Sequence, residues 1–274
     1  MTDARGAAIR LSRPPRRIIS LVPSTTESVH ALGAGDRLVG VTRYCVLPPE
    51  AREKASVVGG TKSPRFDVIR GLKPDLILAN KEENREQDVR ELETVAPVYV
   101  AFPRDLTTAL EELRKLGKLL QCDDTARKLV DGLDRARTNL IRQSRTQAPF
   151  RFLYLIWQKP YMAAGTATFI DAFIREAGGR NAIDPEADRY PQLTVAEIEE
   201  LRPDVVLFSS EPFPFEAKHT TEFLSATSDP SSLKGRTLLV DGQLLSWHGA
   251  RLRHGIPYLA DLAREIVALG GNSG

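Results

Sequence analysis

Three stretches of the chain set large rings beside hydrogen-bonding groups: Arg43 with Tyr44, Trp157 with Gln158 and Tyr161, and Trp247 with His248 and Arg251. Each follows an apolar run that reads as a strand, from Leu38 to Thr42, from Arg151 to Ile156 and from Leu238 to Leu245. Both tryptophans of the chain therefore stand at strand ends. In an open parallel sheet a ligand lies beyond the carboxyl ends of the strands, so these are the positions at which side chains would meet one. Flat faces with a few polar groups suit a bulky, partly apolar molecule, because a ring buries much area while losing little rotamer freedom. Any one ring serves equally well as a cap on the core, and it is the set that points to a ligand. Arg189 adds a further polar contact to that set.

Covalent chemistry finds less support. Gly59-Gly-Thr-Lys-Ser63 has the flavour of a phosphate loop but lacks the frame in which successive N–H groups cradle a phosphate. There is no Gly-x-Ser-x-Gly elbow, and the four histidines include no His-Glu-x-x-His pair, so neither a nucleophile nor a metal is assigned. His30 reads as a packing or surface residue, whereas His248 stands where an imidazole could meet a metal or an acid, with a plain polar contact the simpler reading. The chain reads as a binder and not an enzyme, and no cofactor is required. An enzyme acting on a bound chelate, with His248 and a cleft acid moving protons, is kept as the alternative, as is an intracellular sensor.

Acidic residues form the last constellation. Glu82, Glu83 and Glu86 follow one apolar run, and Glu211 and Glu216 follow another. Each patch alone is a favourable helix start, and two related patches would fit a partner carrying two basic ones.

The elements that must position these residues follow from the patterning. Short apolar runs alternate with amphipathic stretches, the mark of an α/β fold with mostly parallel sheets. Leu72-Lys-Pro-Asp-Leu-Ile-Leu78 and Leu201-Arg-Pro-Asp-Val-Val-Leu207 share one pattern, and the same offset aligns Phe66, Ile69 and Leu72 with Val195, Ile198 and Leu201. It also sets Glu82 on Glu211 and brings Glu86 within one residue of Glu216. Two related Rossmann-like lobes are therefore expected, at 16–121 and 149–270. Between them 122–148 holds one long helix, Asp123 to Thr146, about 35 Å at 1.5 Å per residue. Ser24-Thr-Thr-Glu27 has the spacing of a capping box opening the first helix.

Composition excludes other classes. The 274 residues are 42% hydrophobic and 27% charged, ordinary for a globular chain, and the net charge of +2 gives no field selecting nucleic acid. The basic cluster Arg10, Arg13, Arg16 and Arg17 reads as a solvated arm. Cys45 and Cys122 are too few for a disulfide framework, and sequence leaves open whether they pair. No apolar run is long enough to span a membrane, and Met1 to Arg17 lacks the apolar core of a secretory signal. The expected location is periplasmic or cell-surface if a leader stands upstream, and cytoplasmic if the chain is complete as given.

A resemblance joins these readings. In order and spacing, Arg17-Ile-Ile-Ser-Leu-Val-Pro-Ser24 with Glu27, Gly40-Val41, Tyr44 with Pro48-Pro49, Gly59-Gly60, Leu72-Lys-Pro-Asp75 and Gly178-Gly-Arg-Asn181 resemble the substrate-binding proteins of ABC importers for cobalamin and ferric siderophores. The resemblance runs from about Arg16 to about Leu269 and is nearest the cobalamin branch. It implies a monomer in which a metal chelate (a corrinoid, a haem or a ferric siderophore) lies between two lobes, touching positions matching Tyr44, Trp157 and Trp247. It further implies that an acidic residue on each lobe, best matched by Glu86 and Glu216, meets arginines of a membrane permease.

Overall fold

The computed structural model describes residues 1–271. The chain forms two compact units, each α/β. The first comprises Met1–Pro103, Thr107–Asp134 and His248–Arg251, and the second Arg104–Leu106, Arg135–Trp247 and the chain from Leu252 onward.

In the first unit come β1 (Ile18–Ser20), α1 (Pro23–Ala31), β2 (Leu38–Val41), α2 (Pro49–Lys54), β3 (Ser56–Val57), the small pair β4 (Gly59–Gly60) and β5 (Ser63–Pro64), α3 (Phe66–Gly71), β6 (Leu76–Asn80), α4 (Glu86–Leu92), β7 (Val98–Ala101) and α5 (Leu106–Leu120). Five strands make one sheet in the order β3-β2-β1-β6-β7, with every neighbouring pair parallel. Because successive strand residues point to opposite faces, Ile18, Leu76, Leu78 and Tyr99 enter one buried cluster. Ile19, Ile77, Val98 and Val100 enter the other, with Ile69 of α3 and Leu92 of α4. Burial on both faces explains why these strands read as continuous apolar runs.

α6 (Asp123–Ser144) is the long helix that the sequence required, 22 residues, and the chain changes unit within it, between Asp134 and Arg135. There follow β8 (Phe150–Trp157), β9 (Tyr161–Ala163), α7 (Phe169–Glu176), β10 (Gly179–Asn181), β11 (Gln192–Leu193), α8 (Val195–Glu200), β12 (Val205–Ser209), α9 (Ala217–Ala226), α10 (Pro230–Leu233), β13 (Thr237–Val240), α11 (Gly242–Ser246) and α12 (Leu252–Gly271). The second sheet runs β11-β9-β8-β12-β13, with β10 also on β8. Its pairs β8–β12, β12–β13 and β8–β10 are parallel, and the hairpin β8–β9 and the pair β9–β11 are antiparallel.

The repeat is present down to single hydrogen bonds. Lys73 and Arg202 both adopt the left-handed backbone conformation at the end of their helices, at φ 46° and 47°. The Asp75 carboxylate accepts the backbone N–H of Arg17 at 2.9 Å, and Asp204 accepts that of Arg151 at 2.6 Å. Each arginine then turns its guanidinium back onto the helix end, Arg17 Nε donating to the Leu72 carbonyl and Arg151 Nε to that of Leu201. The Pro-Asp pair thus supplies a turn and an acceptor that ties the central strand, β1 or β8, to its neighbour, and Ile69 and Ile198 are equally buried above it.

Three expectations are corrected. The apolar run from Leu238 to Leu245 is not one strand: Asp241 accepts the N–H of Leu244 and caps α11, so Leu244 and Leu245 are helical. Ser24 and Glu27 form no capping box, because α1 begins at Pro23 behind Val22 and both side chains have partners elsewhere. Nor do the first residues of the chain form a free arm. Ala4 N–H donates to the Val100 carbonyl at 2.9 Å, and buried Asp3 accepts from Arg5, Ala7 and Val100, laying the segment along the edge of β7. Asp75 holds the backbone N–H groups of Arg16 and Arg17, and Arg10, Arg13, Arg16 and Arg17 are all exposed, as the solvated reading of the cluster requires.

Candidate binding edges

All strands of the first sheet point one way, so the residues after β1, β2, β6 and β7 share one edge. Arg43 and Tyr44 follow β2. The Arg43 guanidinium lies 5.8 Å from the Tyr44 ring centroid, within cation–π reach, and the ring is 52% exposed. The pair rests against the β4–β5 hairpin: Arg43 N–H donates to the Gly59 carbonyl, and its guanidinium reaches Ser63 Oγ at 3.5 Å. A side chain at Gly60 would meet Tyr44 Cε2 at 3.2 Å, so a glycine there lets the ring lie close over the backbone.

His248 belongs to this unit and not to the one that contains Trp247. Its Nε2 lies 3.4 Å from both Ser24 Oγ and Asn80 Nδ2. Asn80 Oδ1 is already taken by the N–H groups of Glu82 and Glu83, so its amide nitrogen faces the imidazole. An amide nitrogen only donates; Nε2 therefore accepts, and the ring proton sits on Nδ1. Burial disfavours the charged ring and pushes its pKa down to about 4. Arg251 turns inward, its Nε 3.1 Å from Glu27 Oε2, both side chains almost wholly buried, and Ala250 N–H donates to Ser28 Oγ at 3.0 Å. Four residues arriving from the far end of the sequence are thus pinned to α1.

In the second unit Trp157 ends β8, and Glu211 and Trp247 stand beyond the ends of β12 and β13, again on one edge because these strands are parallel. Trp157 is 43% exposed and meets Phe213 edge-on at 5.6 Å. Half-buried Trp247 donates its indole N–H to Glu211 Oε1 at 2.5 Å. The turn after Trp157 is tied to α9: Gln158 Nε2 donates to Glu222 at 3.0 Å, and Lys159 pairs with the same carboxylate at 2.9 Å. Tyr161 packs edge-on against buried Phe223 and belongs to the core cluster, burial raising the pKa of its hydroxyl. Arg189 stands elsewhere. Its carbonyl accepts from Gly165, just past the point where Ala164 bonds Tyr154 in the middle of β8, and its guanidinium donates to the Ala167 carbonyl and lies on Tyr190.

The acidic residues occupy matching places in the two units. Asn80 Oδ1 accepts Glu82 N–H, and Ser209 Oγ accepts Glu211 N–H. Glu86 opens α4 and Glu216 caps α9, each exposed and ion-paired, with Arg90 and Lys218 respectively. The Lys218 contact holds the Glu216 carboxyl below its usual pKa. Ser24, Asn80, Glu211, Phe213 and Glu222 were not singled out as site residues from the sequence. Only Glu211 carried a signal, as the repeat partner of Glu82.

Cys45 and Cys122 are free thiols. Among the described residues no group of three or more His, Cys, Asp or Glu side chains is placed to hold a metal ion, and no helix is long and apolar enough to cross a membrane.

Curated relatives include the vitamin B12-binding protein of Vibrio cholerae serotype O1, 27% identical over 199 residues, covering 72% of this chain and 71% of the relative. The vitamin B12-binding protein of Yersinia pestis is 29% identical over 196 residues, covering 70% and 69%. Among solved structures, the periplasmic vitamin B12-binding protein BtuF of Vibrio cholerae superposes with a TM-score of 0.79 at 21% identity over 92% of this chain and 98% of that one. The periplasmic haem-binding protein RhuT of Roseiflexus sp. RS-1 does so with 0.78 at 22% identity over 93% and 98%. These likenesses cover nearly the whole chain and show the same α/β fold. With the periplasmic binding protein family matching residues 18–228, most of the chain, the protein belongs to that family, whose members bind solutes and are not enzymes.

Proposed function

We propose that this protein is the solute-binding component of an ABC importer and that its cargo is a corrinoid. The observation that carries the reading is the pair of exposed rings, Tyr44 and Trp157, each at or just past the carboxyl end of a strand in its own sheet. Rings left open to water at ligand-bearing edges lose area to a flat, bulky guest with little entropic penalty. Relatives named for vitamin B12 binding support the choice of guest. On this reading Tyr44, Trp157 and Trp247 supply surface and Arg43 supplies an exposed cation. His248 acts as a neutral polar group, since a pKa of about 4 leaves it uncharged at neutral pH. Arg251, paired with Glu27, and Tyr161, packed on Phe223, support the site from behind. Arg189 contributes only if the guest extends past the middle of β8.

Glu86 and Glu216 would dock the permease as a single chain offers them, and the working location would be the periplasm or cell surface. Titration with cyanocobalamin, haem and a ferric siderophore, followed by tryptophan fluorescence, tests the cargo. Saturable quenching by cyanocobalamin is expected, with Trp157→Ala weakening it roughly tenfold or more. Quenching by haem alone would replace the corrinoid, and quenching by none would end the reading. Charge reversal at Glu86 and Glu216 should abolish uptake with cargo affinity unchanged.

A further inference from the structure

One loop, between β12 and α9, handles both tryptophans. Glu211 takes the indole N–H of Trp247, and Phe213, two residues on, presses edge-on against Trp157 while its own N–H donates to the Ile156 carbonyl. The far side of the loop is fixed by Phe215, which packs on Phe208, and by His219, whose ring meets both Phe213 and Phe215 and whose Nδ1 accepts Glu216 N–H at 2.8 Å. Glu211 reaches Trp247 across the start of α11, where there is room only for a glycine. A Cβ at Gly242 would stand 2.6 Å from Glu211 Cγ and 2.4 Å from Ser209 Oγ. Ser246 Oγ, whose hydroxyl donates to the Gly242 carbonyl at 2.7 Å, lies 3.2 Å from the same Glu211 oxygen, so the carboxylate stands against the end of α11.

We infer that Glu211 is a positioning and specificity-determining residue of the binding edge, acting through Trp247. An indole whose only donor is spent on the protein can offer a guest nothing but its ring face, so this tryptophan selects an apolar surface and not a hydrogen-bond acceptor. The inference rests on the proposed cargo site but assigns a role to a residue that does not itself touch the cargo.

Two variants test the position. Glu211→Gln keeps an acceptor for the indole and should bind cyanocobalamin within about threefold of the wild type. Glu211→Ala should weaken cyanocobalamin roughly tenfold, and that loss should vanish in a Trp247→Phe background, because residues acting through one contact are not additive. Equal losses from Glu211→Ala with and without Trp247 would overturn the inference and leave the cargo reading intact. If the wild type binds neither cyanocobalamin nor haem, the cargo reading fails, and the positioning role is decided in the ligand-free protein. In a Trp157→Phe background, Glu211→Ala should then increase acrylamide quenching of the remaining indole, and unchanged quenching would overturn it.

Discussion

The two units repeat each other at one end and part company at the other. Behind the sheets, Asp75 and Asp204 hold the same backbone groups, Arg17 and Arg151 return to the same carbonyls, and Lys73 and Arg202 share one unusual backbone angle. At the carboxyl edges the agreement is reduced to position. The first unit fills its edge with a neutral imidazole between Ser24 and Asn80 and a buried Glu27–Arg251 pair. The second fills it with two indoles managed by Glu211 and Phe213. Turn and clamp chemistry serve folding and have few solutions, whereas the strand ends are where a shared scaffold is adapted to what it carries.

Removing Arg251 should expose the contrast most strongly. Arg251→Ala removes the guanidinium paired with a carboxylate that is only 5% exposed and should lower stability by ~3–5 kcal/mol in urea denaturation. Arg189→Ala in the second unit, where the guanidinium meets a carbonyl and a ring, should lose about 1 kcal/mol. A loss of about 1 kcal/mol or less from Arg251→Ala would mean that the buried Glu27 carboxylate does not depend on Arg251.

The imidazole gives the edge of the first unit a pH dependence of its own. With its folded pKa near 4 and an ordinary value of 6.5, His248 takes up a proton more readily when the chain is unfolded. Its contribution is therefore complete above pH 6.5 and lost as pH falls towards 4, on the order of 3 kcal/mol. Urea midpoints between pH 4 and pH 7 should change more steeply for the wild type than for His248→Asn. Parallel curves would place the imidazole in contact with water.

A smaller difference lies in the repeat itself. α8 opens with a full capping box, Thr194 and Glu197 bonding each other's backbone N–H, while its counterpart α3 opens at Arg65 with no side-chain cap. Thr194→Ala should cost about 1 kcal/mol, and Arg65→Thr should gain about 0.5 kcal/mol, both read as shifts in melting temperature. A loss at Arg65→Thr would show that the arginine does more at α3 than cap it.

Much of the scaffold was legible because it rests on local rules. The repeated Leu-x-Pro-Asp segments state the turn, the acceptor and the strand that follows, and the apolar spacing of Asp123 to Thr146 states a long helix. The reading failed where a local signal was ambiguous. Leu238 to Leu245 is apolar enough for a strand, but Asp241 stops it as a cap, and Ser24 with Glu27 has the spacing of a box whose members are used elsewhere. The rings at strand ends were legible as a set, but their keepers were not. Glu211 and Phe213 are separated from Trp247 and Trp157 by 36 and 56 positions, a distance over which spacing carries no information.

By itself, the sequence determined the α/β alternation, the duplication and the long helix, because periodicity and turn chemistry act within a few residues. Only the tertiary structure decided which polar groups remain available at the edges. Arg251 and Trp247 stand nearly side by side in sequence, yet one is spent on Glu27 in the first unit and the other on Glu211 in the second. A charge or a donor shows its function only once its partner is known, and those partners are brought together by folding alone.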